Sequence, residues 1–507
     1  MENAIKLILT NKTALEKKYG SKHKSILAAL ESLREFDKTR RLDTRIIFLD
    51  DAALMKKCKA KAVTDTLDAK QNKQAVDALY KHFSPGYILL VGAQDIIPFQ
   101  RLDNLLFSED DEDKYIPSDL PYACDVPYNT KPGKFIAPAR VVGRLPDVPG
   151  QNDPAYLLSL LKDSMAVKPV ARKNYHAYFS VSVFDWQKST EQSLQNIFGG
   201  FKSLQLSPGK GKVAKWTLSQ MKPKVHFYNC HGALDDAAYY GQKGNDYPIA
   251  LQSDALTKKV TFGTVVAAEC CYGAQLFDPK VSDGHLLSIA NNYLLNHAVA
   301  FTGSSTIAYG PPQGQGLADL LTQYFLINVI NGASTGRALL EARQRFLNEM
   351  GPTLDPYELK TAAQFYLLGD PSLVLVENET DPNHLAKSKS FVNTLQNRRD
   401  NMEAKSKALQ GYISTPEKVD DGQGSTTLKK EIKTLLQERN FDTPAPAKVF
   451  VNEGKSSGTR DAKSFRPTVK FHVYSESAGE GKLKKTKVLV VKEKNNQILG
   501  FREYVRK

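Results

Sequence analysis

Thr264–Phe277 reads TVVAAECCYGAQLF, and Val225–Leu234 reads VHFYNCHGAL. Each begins as a short apolar run of strand length, rich in β-branched or aromatic residues, and ends abruptly in a reactive polar residue with glycine close behind. A buried strand delivers its last side chain to a fixed point. In an α/β sheet that point is the rim at the carboxyl ends of the strands, where ligands bind, so His231 and Cys270 are expected at one crevice from two different strands. A cysteine nucleophile and its histidine need this geometry, with the thiol open to a shared groove.

Working outward, residues 175–378 alternate strand and helix patterns, which predicts an α/β fold with a mostly parallel sheet and helices on its faces. Strands are expected at Tyr178–Val183, Val225–Cys230, Thr264–Ala268, Ala298–Thr302 and, last, Leu373–Val376; helices are expected at Glu191–Ile197, His285–Asn292, Leu317–Ile330 and Thr335–Glu349. The connection Gly303–Gly316, GSSTIAYGPPQGQG, follows a strand end as substrate loops do, and its glycines match no phosphate-binding spacing. Residues 1–165 read as a preceding α/β subdomain and 166–380 as the catalytic-type domain. Residues 381–445 read as a helical and linker region, with the polar stretch TPEKVDDGQGS as a flexible, cleavable linker, and 446–507 as a small basic β-rich appendage with a turn near Asn495 and Asn496.

The chain has 507 residues, 41% of them hydrophobic, enough for a large core. No apolar run approaches the roughly 18 residues of a membrane span, and the start MENAIKLILTNK carries no cleavable export signal, so a soluble cytoplasmic protein is expected. The five cysteines form no disulfide framework, which suits a reducing compartment. Of the net charge of +14, an excess of 11 lies in residues 381–507, with 26 Lys and Arg against 15 Asp and Glu. A basic surface there suits a regulatory protein partner better than nucleic acid, because no nucleic-acid motif accompanies it. The acidic stretch Ser108–Asp119, SEDDEDKYIPSD, has ligands of the type calcium takes but not the spacing of a calcium loop, so a solvated loop is expected. Cys230, His231, Cys270 and Cys271 are zinc-ligand types that likewise lack metal-binding spacing.

VHFYNCHG, VVAAECCYGAQLF, AVAFTGSSTIAYG and FYLLGDPSLVL, in that order, resemble the gingipain family of cysteine peptidases, within the caspase-like clan CD that includes legumain, separase, clostripain and the metacaspases. YILLVGAQDIIP, SDLPYACD and VVGRLPD are similar to the gingipains' paired N-terminal subdomain, so the resemblance covers about residues 80–380. It implies a caspase-like three-layer sandwich and a thiol protease, a hydrolase cleaving protein substrates without a required cofactor. Gingipains are secreted with a signal and propeptide; the start of this sequence shows neither, so regulated intracellular proteolysis is the expectation.

The resemblance also implies residue roles. His231, before Gly232, is the expected general acid and base. Most of the group place glycine three positions after the nucleophile, which selects Cys270; caspases proper place it two positions after, which selects Cys271. Backbone N–H groups of Gly232 and Cys270 would stabilise the oxyanion, and a helix beginning after Gly273 would lower the thiol pKa. Asp185, after the strand ending FSVSV, is the candidate either for orienting His231 or for an acid that selects a basic residue before the cut. Ser304, Ser305 and Tyr309 are expected to line the substrate pocket. Glu269 is expected to face away, and Asp370 to be a turn residue. The alternative function is a catalytically silent scaffold that keeps the fold and docks a partner through its basic C-terminal region.

Overall fold

The computed structural model describes residues 4–207, 214–377, 388–419, 425–452, 468–479, 481 and 483–507. Its centre is a ten-stranded sheet in the spatial order Leu42–Phe48, Ala4–Thr10, Tyr87–Val91, Val142–Leu145, Phe365–Gly369, Ala298–Ser304, Thr264–Ala268, Val225–Asn229, Tyr178–Val183 and Leu204–Ser207. All neighbours run parallel except Phe365–Gly369 against Ala298–Ser304. The α/β fold class is as expected, and the two α/β units meet edge to edge in one sheet, where Leu368 lies opposite Arg144.

Helices cover both faces, and their burial follows from their sequences. His23–Thr39 buries a stripe of Ile26, Leu30 and Leu33 at helical spacing. Leu317–Ile330 is apolar nearly all round, and accordingly it is buried on most sides. The strand expected at Leu373–Val376 is instead Phe365–Gly369; Asp370 and Pro371 end it, and Val374 and Val376 make only isolated bridges.

The C-terminal region forms helices Ser388–Tyr412 and Thr426–Glu438 and the strands Glu417–Val419, Lys448–Asn452, Val469–Ala478, Lys485–Lys494 and Gln497–Arg506. Glu417–Val419 pairs with Lys448–Asn452, so that part of the expected linker is structured; its residues 420–424 lie outside the described residues. Asn495 and Asn496 both have positive φ (54° and 61°), which a two-residue hairpin turn of the primed type requires. The sixth strand of this sheet is Tyr309–Gly310, in the loop after Ala298–Ser304. The appendage therefore closes back onto the main sheet, with Gln497–Arg506 as the strand that joins them.

Candidate active site

The histidine and cysteine strands are adjacent and parallel, with Val225 beside Val265 and Tyr228 beside Ala268. Their carboxyl ends therefore emerge together. The contact is so close that a Cβ on Gly232 would lie 1.9 Å from the Cys271 carbonyl oxygen and 3.5 Å from the Cys270 Cβ, so only glycine fits there. Past the cysteines the chain turns sharply: Tyr272 has φ of 52°, a conformation costly for a bulky residue and held here by Tyr272 N–H to the Thr306 carbonyl (2.9 Å) and Tyr272 Oη to Asp113 (2.8 Å).

This turn sends the two thiols to different places. Cys270 points into the core beneath the sheet, where burial and then the hydrogen-bonded Cys230 thiol push its pKa well above the usual thiol value. Cys271 packs on the other side, with Tyr309, Ile307 and Ala308. Its sulfur accepts from the Ala308 N–H (3.3 Å) and faces Arg506; burial pushes the thiol up to about 11, with Arg506 pulling the other way. Both thiols are fully buried, contrary to the open thiol expected. No helix begins after Gly273; residues 271–274 form turns, and the positive charge beside Cys271 is Arg506.

His231 is buried against Trp186, with ring centroids 4.4 Å apart. Its Nε2 lies 2.6 Å from Gln242 Oε1, and the Gln242 amide is oriented by its own donation to the Gly244 carbonyl (2.9 Å). Nε2 therefore carries the proton and Nδ1 keeps its lone pair. Burial, opposed by the Gln242 bond and reinforced by Arg506, Lys507 and Lys485, lowers the His231 pKa to about 4. Gly232, the residue after His231, packs directly on the Cys271 carbonyl, which brings the His-Gly and Cys-Cys elements into one neighbourhood.

The strand Gln497–Arg506 lies along this neighbourhood. Tyr309 pairs with Arg506 and Gly310 with Val505, antiparallel. Lys507 follows: its N–H donates to the Ala308 carbonyl (2.9 Å), and its carbonyl oxygen accepts from the Cys271 N–H (3.3 Å). The Lys507 side chain is fully buried, with Nζ 3.4 Å from Asp319 Oδ1, 3.9 Å from Glu269 Oε2 and 4.6 Å from the Trp186 ring centre. Asp319 stands in the first turn of Leu317–Ile330, and Leu317 has φ of 43°, a second strained residue beside the site. Burial and then Asp319 push the Glu269 pKa well above the usual carboxylate range, while Lys507 pulls it down. Asp319 Oδ2 and Glu269 Oε2 have no hydrogen-bond donor.

Several expected residues take other places. Asp185 is exposed and accepts a long bond from Gly244 N–H (3.4 Å); the side chain that meets His231 is Gln242, and the buried acids nearby are Asp319 and Glu269. Ser304 is no pocket wall: its hydroxyl donates to the Cys270 and Thr306 carbonyls (2.8 and 2.9 Å), bracing the cysteine turn. Ser305 bonds through its backbone to Gln364, and Tyr309 meets the closing strand through its backbone while its hydroxyl reaches Asp111. The acidic stretch 108–119 is solvated only in part: Glu109 and Glu112 are exposed, but its aspartates are engaged. Asp110, Asp111, Asp113 and Asp119 accept from Ser475, Lys360, Ile307 N–H and Arg144 respectively, and no cluster of three metal-ligating side chains occurs among the described residues.

Two short strands thus bring a His-Gly and a Cys-Cys element into contact beside a buried acidic pocket. Residues 223–376 match the profile of peptidase family C25, the gingipain family. The matched segment contains His231, Gly232, Glu269, both neighbouring cysteines and Asp319. No curated protein matches the chain. Among solved structures, one titled "Structure of Protease" is 12% identical with a TM-score of 0.42, covering 99% of this chain and 96% of the other. The Saccharomyces cerevisiae separase–securin complex is 16% identical with a TM-score of 0.30, covering 46% of this chain and 14% of that one. No described helix is long and apolar enough to cross a membrane.

Proposed function

We propose that the chain is a cysteine endopeptidase that cuts protein substrates after a basic residue, with Cys271 as nucleophile and His231 as general acid and base. One observation carries this reading: the chain's own Lys507 sits as a substrate residue would, its carbonyl on the Cys271 N–H and its ammonium between Asp319 and Glu269. Cys271 is preferred to Cys270 because the Cys270 thiol is engaged with Cys230 in the core. At neutral pH a thiol raised to about 11 and an imidazole lowered to about 4 are both uncharged. In this reading the thiol leaves its contact with the Ala308 carbonyl (3.5 Å) and gives its proton to His231 Nδ1 as the sulfur attacks the scissile carbonyl carbon.

The N–H groups of Cys271 and Gly232 stabilise the oxyanion, each worth about 3–4 kcal/mol in such sites. Collapse passes the proton from His231 to the leaving amine and leaves a thioester. Water, deprotonated by His231, then attacks the thioester and releases the new carboxylate and the thiol. Glu269 and Asp319 share one buried pocket, and Asp319 holds the Glu269 pKa up, so the pair is suited to one cation. The burial of both thiols favours a silent scaffold as the second reading, although a scaffold has no use for two buried carboxylate oxygens without donors.

Incubation with a lysyl acyloxymethyl ketone, followed by peptide mass spectrometry, tests the assignment. The adduct is expected on Cys271 and is lost in His231→Ala and Cys271→Ala, while Cys270→Ala still reacts. An adduct on Cys270 overturns the nucleophile assignment, and no adduct in any form favours the scaffold.

A further inference from the structure

The strand that fills the cleft belongs to a different sheet from the site. Gln497–Arg506 is the long outer partner of Lys485–Lys494, paired along its length, and only its last residues touch Tyr309–Gly310. Two residues before Arg506, Tyr504 donates to Asp355 Oδ2 (2.9 Å), and Arg502 pairs with the buried carboxylates of Glu358 and Asp355. Asp355 caps the helix Pro356–Gln364, accepting from Tyr357 and Glu358 N–H (2.8 and 2.9 Å), so these contacts tie the strand to a rigid element of the C25 segment.

Pocket and edge are both filled. The edge strand Tyr309–Gly310 has its free backbone groups taken by Arg506 and Val505, the Cys271 N–H is taken by the Lys507 carbonyl, and the acidic pocket holds the Lys507 ammonium. An extended substrate recognises such a site through these same groups, by strand addition with side-chain pockets for register. A second peptide has no place while the first remains.

We infer that residues 497–507 are a tethered inhibitor of the site: a substrate-like strand, held by Lys507 in the acidic pocket and by Arg502 and Tyr504 outside it, that an incoming protein substrate must displace. This rests on the peptidase reading above and adds its regulation. Because the inhibitor is part of the chain, it competes at an effective concentration that dilution does not lower. Release therefore requires loss of the strand's own contacts rather than of a separate subunit. It would also carry Arg506 away from Cys271 and His231, so an entering peptide with a basic residue next to the one before the cut restores the charge that the inhibitor supplied.

The test compares full-length wild type, Lys507→Ala and Arg502→Ala. The first readout is kcat/KM on an extended fluorogenic peptide with lysine before the cleaved bond, and the second is the rate of iodoacetamide labelling at Cys271, located by mass spectrometry. Lys507→Ala is expected to raise both at least tenfold, the turnover gain appearing mainly as a lower KM. Arg502→Ala, outside the pocket, is expected to raise both about threefold. Equal values in all three proteins, with unchanged circular-dichroism melts, overturn the inference and leave the peptidase reading standing. Faster labelling in the variants without turnover by any protein supports the occupancy and overturns the peptidase reading instead.

Discussion

Two buried lysines, at opposite ends of the sheet, each sit between two carboxylates, and they differ in how completely the carboxylates are satisfied. Lys6 Nζ lies 2.9 Å from Asp37 Oδ2 and 2.5 Å from Asp370 Oδ2, with all three side chains fully buried. Arg40 covers the other Asp37 oxygen, Thr44 donates to Asp37 (2.7 Å) and Ser372 to Asp370 (2.7 Å), so every carboxylate oxygen has a donor. Around Lys507 the distances are 3.4 and 3.9 Å, and one oxygen on each of Asp319 and Glu269 has no donor. A buried charge cluster that the fold finishes for itself is architecture. One that the fold closes more loosely, with two carboxyls sharing a hydrogen bond around a single distant cation, is the cluster that the proposed function takes as a substrate pocket.

The sharpest way to break this comparison is to remove the cation at the closed end. Lys6→Met leaves Asp37 and Asp370 without the lysine that joins the first strand to the end of Phe365–Gly369, and about 3–5 kcal/mol of stability should be lost. Denaturant unfolding measures it. Turnover per folded molecule should stay within twofold of wild type, and a large change in turnover without a change in stability would make Lys6 part of the site instead.

At the open end the effect should move from stability to turnover. Asp319→Asn removes the carboxylate nearest the lysine ammonium from resident and incoming lysine alike, so the ratio of kcat/KM for lysine over alanine substrates should fall about a hundredfold, roughly 2.7 kcal/mol of transition-state binding. Thermal stability should hold or rise, because the repulsion that raises the Glu269 pKa is relieved. Michaelis profiles on substrates with lysine and with alanine before the cut check this, since both gain from a looser resident strand and only the lysine substrate loses its pocket partner.

The pH dependence separates the clusters by sign. Burial acts to raise the Asp370 pKa, but Lys6 and Arg40 outweigh it and hold the carboxyl down to about 2, below its ordinary value. A depressed carboxyl stabilises the fold above the unfolded pKa, near 4, and loses that contribution as pH falls from about 4 to about 2; about 2 kcal/mol is at stake. Unfolding free energies at intervals from pH 5 to pH 2.5 should show this acid slope in wild type and a shallower one in Lys6→Met. The Glu269 carboxyl is shifted the other way, so above the unfolded carboxyl pKa, near 4, it gives a slope of opposite sign, which wild type and Lys6→Met share and which cancels in their difference.

The strands that carry His231 and the cysteines were legible because an apolar run ending in a polar residue and glycine has few other readings. The Cys-x-x-Gly spacing points to Cys270 and the two-residue offset to Cys271, and spacing does not report where each thiol packs; that depends on Tyr272 adopting positive φ, held by Thr306 and Asp113 from elsewhere in the chain. Asp319 lies just past the glycine-rich loop that the sequence marks as a substrate loop, and the turn into the helix disguises it as an ordinary first-turn acid. The sequence puts Glu269 facing away, as a charge at the end of a buried strand usually does, and the fold instead buries it against Asp319. Gln242 and the closing strand carry no local signature, since each reaches the site only through tertiary contact.

The smallest effect tests the pocket mouth. Gly310 is held to glycine by proximity alone: a Cβ there would lie 2.2 Å from Lys507 Cε and 2.9 Å from Nζ, with Asp319 Oδ2 at 3.1 Å. In Gly310→Ala the lysine side chain must shift, which weakens the tethered Lys507 and an incoming lysine alike. Absolute turnover therefore mixes release of the inhibitor with poorer binding of the substrate. The ratio of kcat/KM for lysine over alanine substrates does not, because the resident strand obstructs both equally and cancels. That ratio should fall about tenfold, close to 1.4 kcal/mol. An unchanged ratio would mean that lysine does not enter past Gly310, and the likeness between the resident Lys507 and a substrate residue would fail at its most direct point.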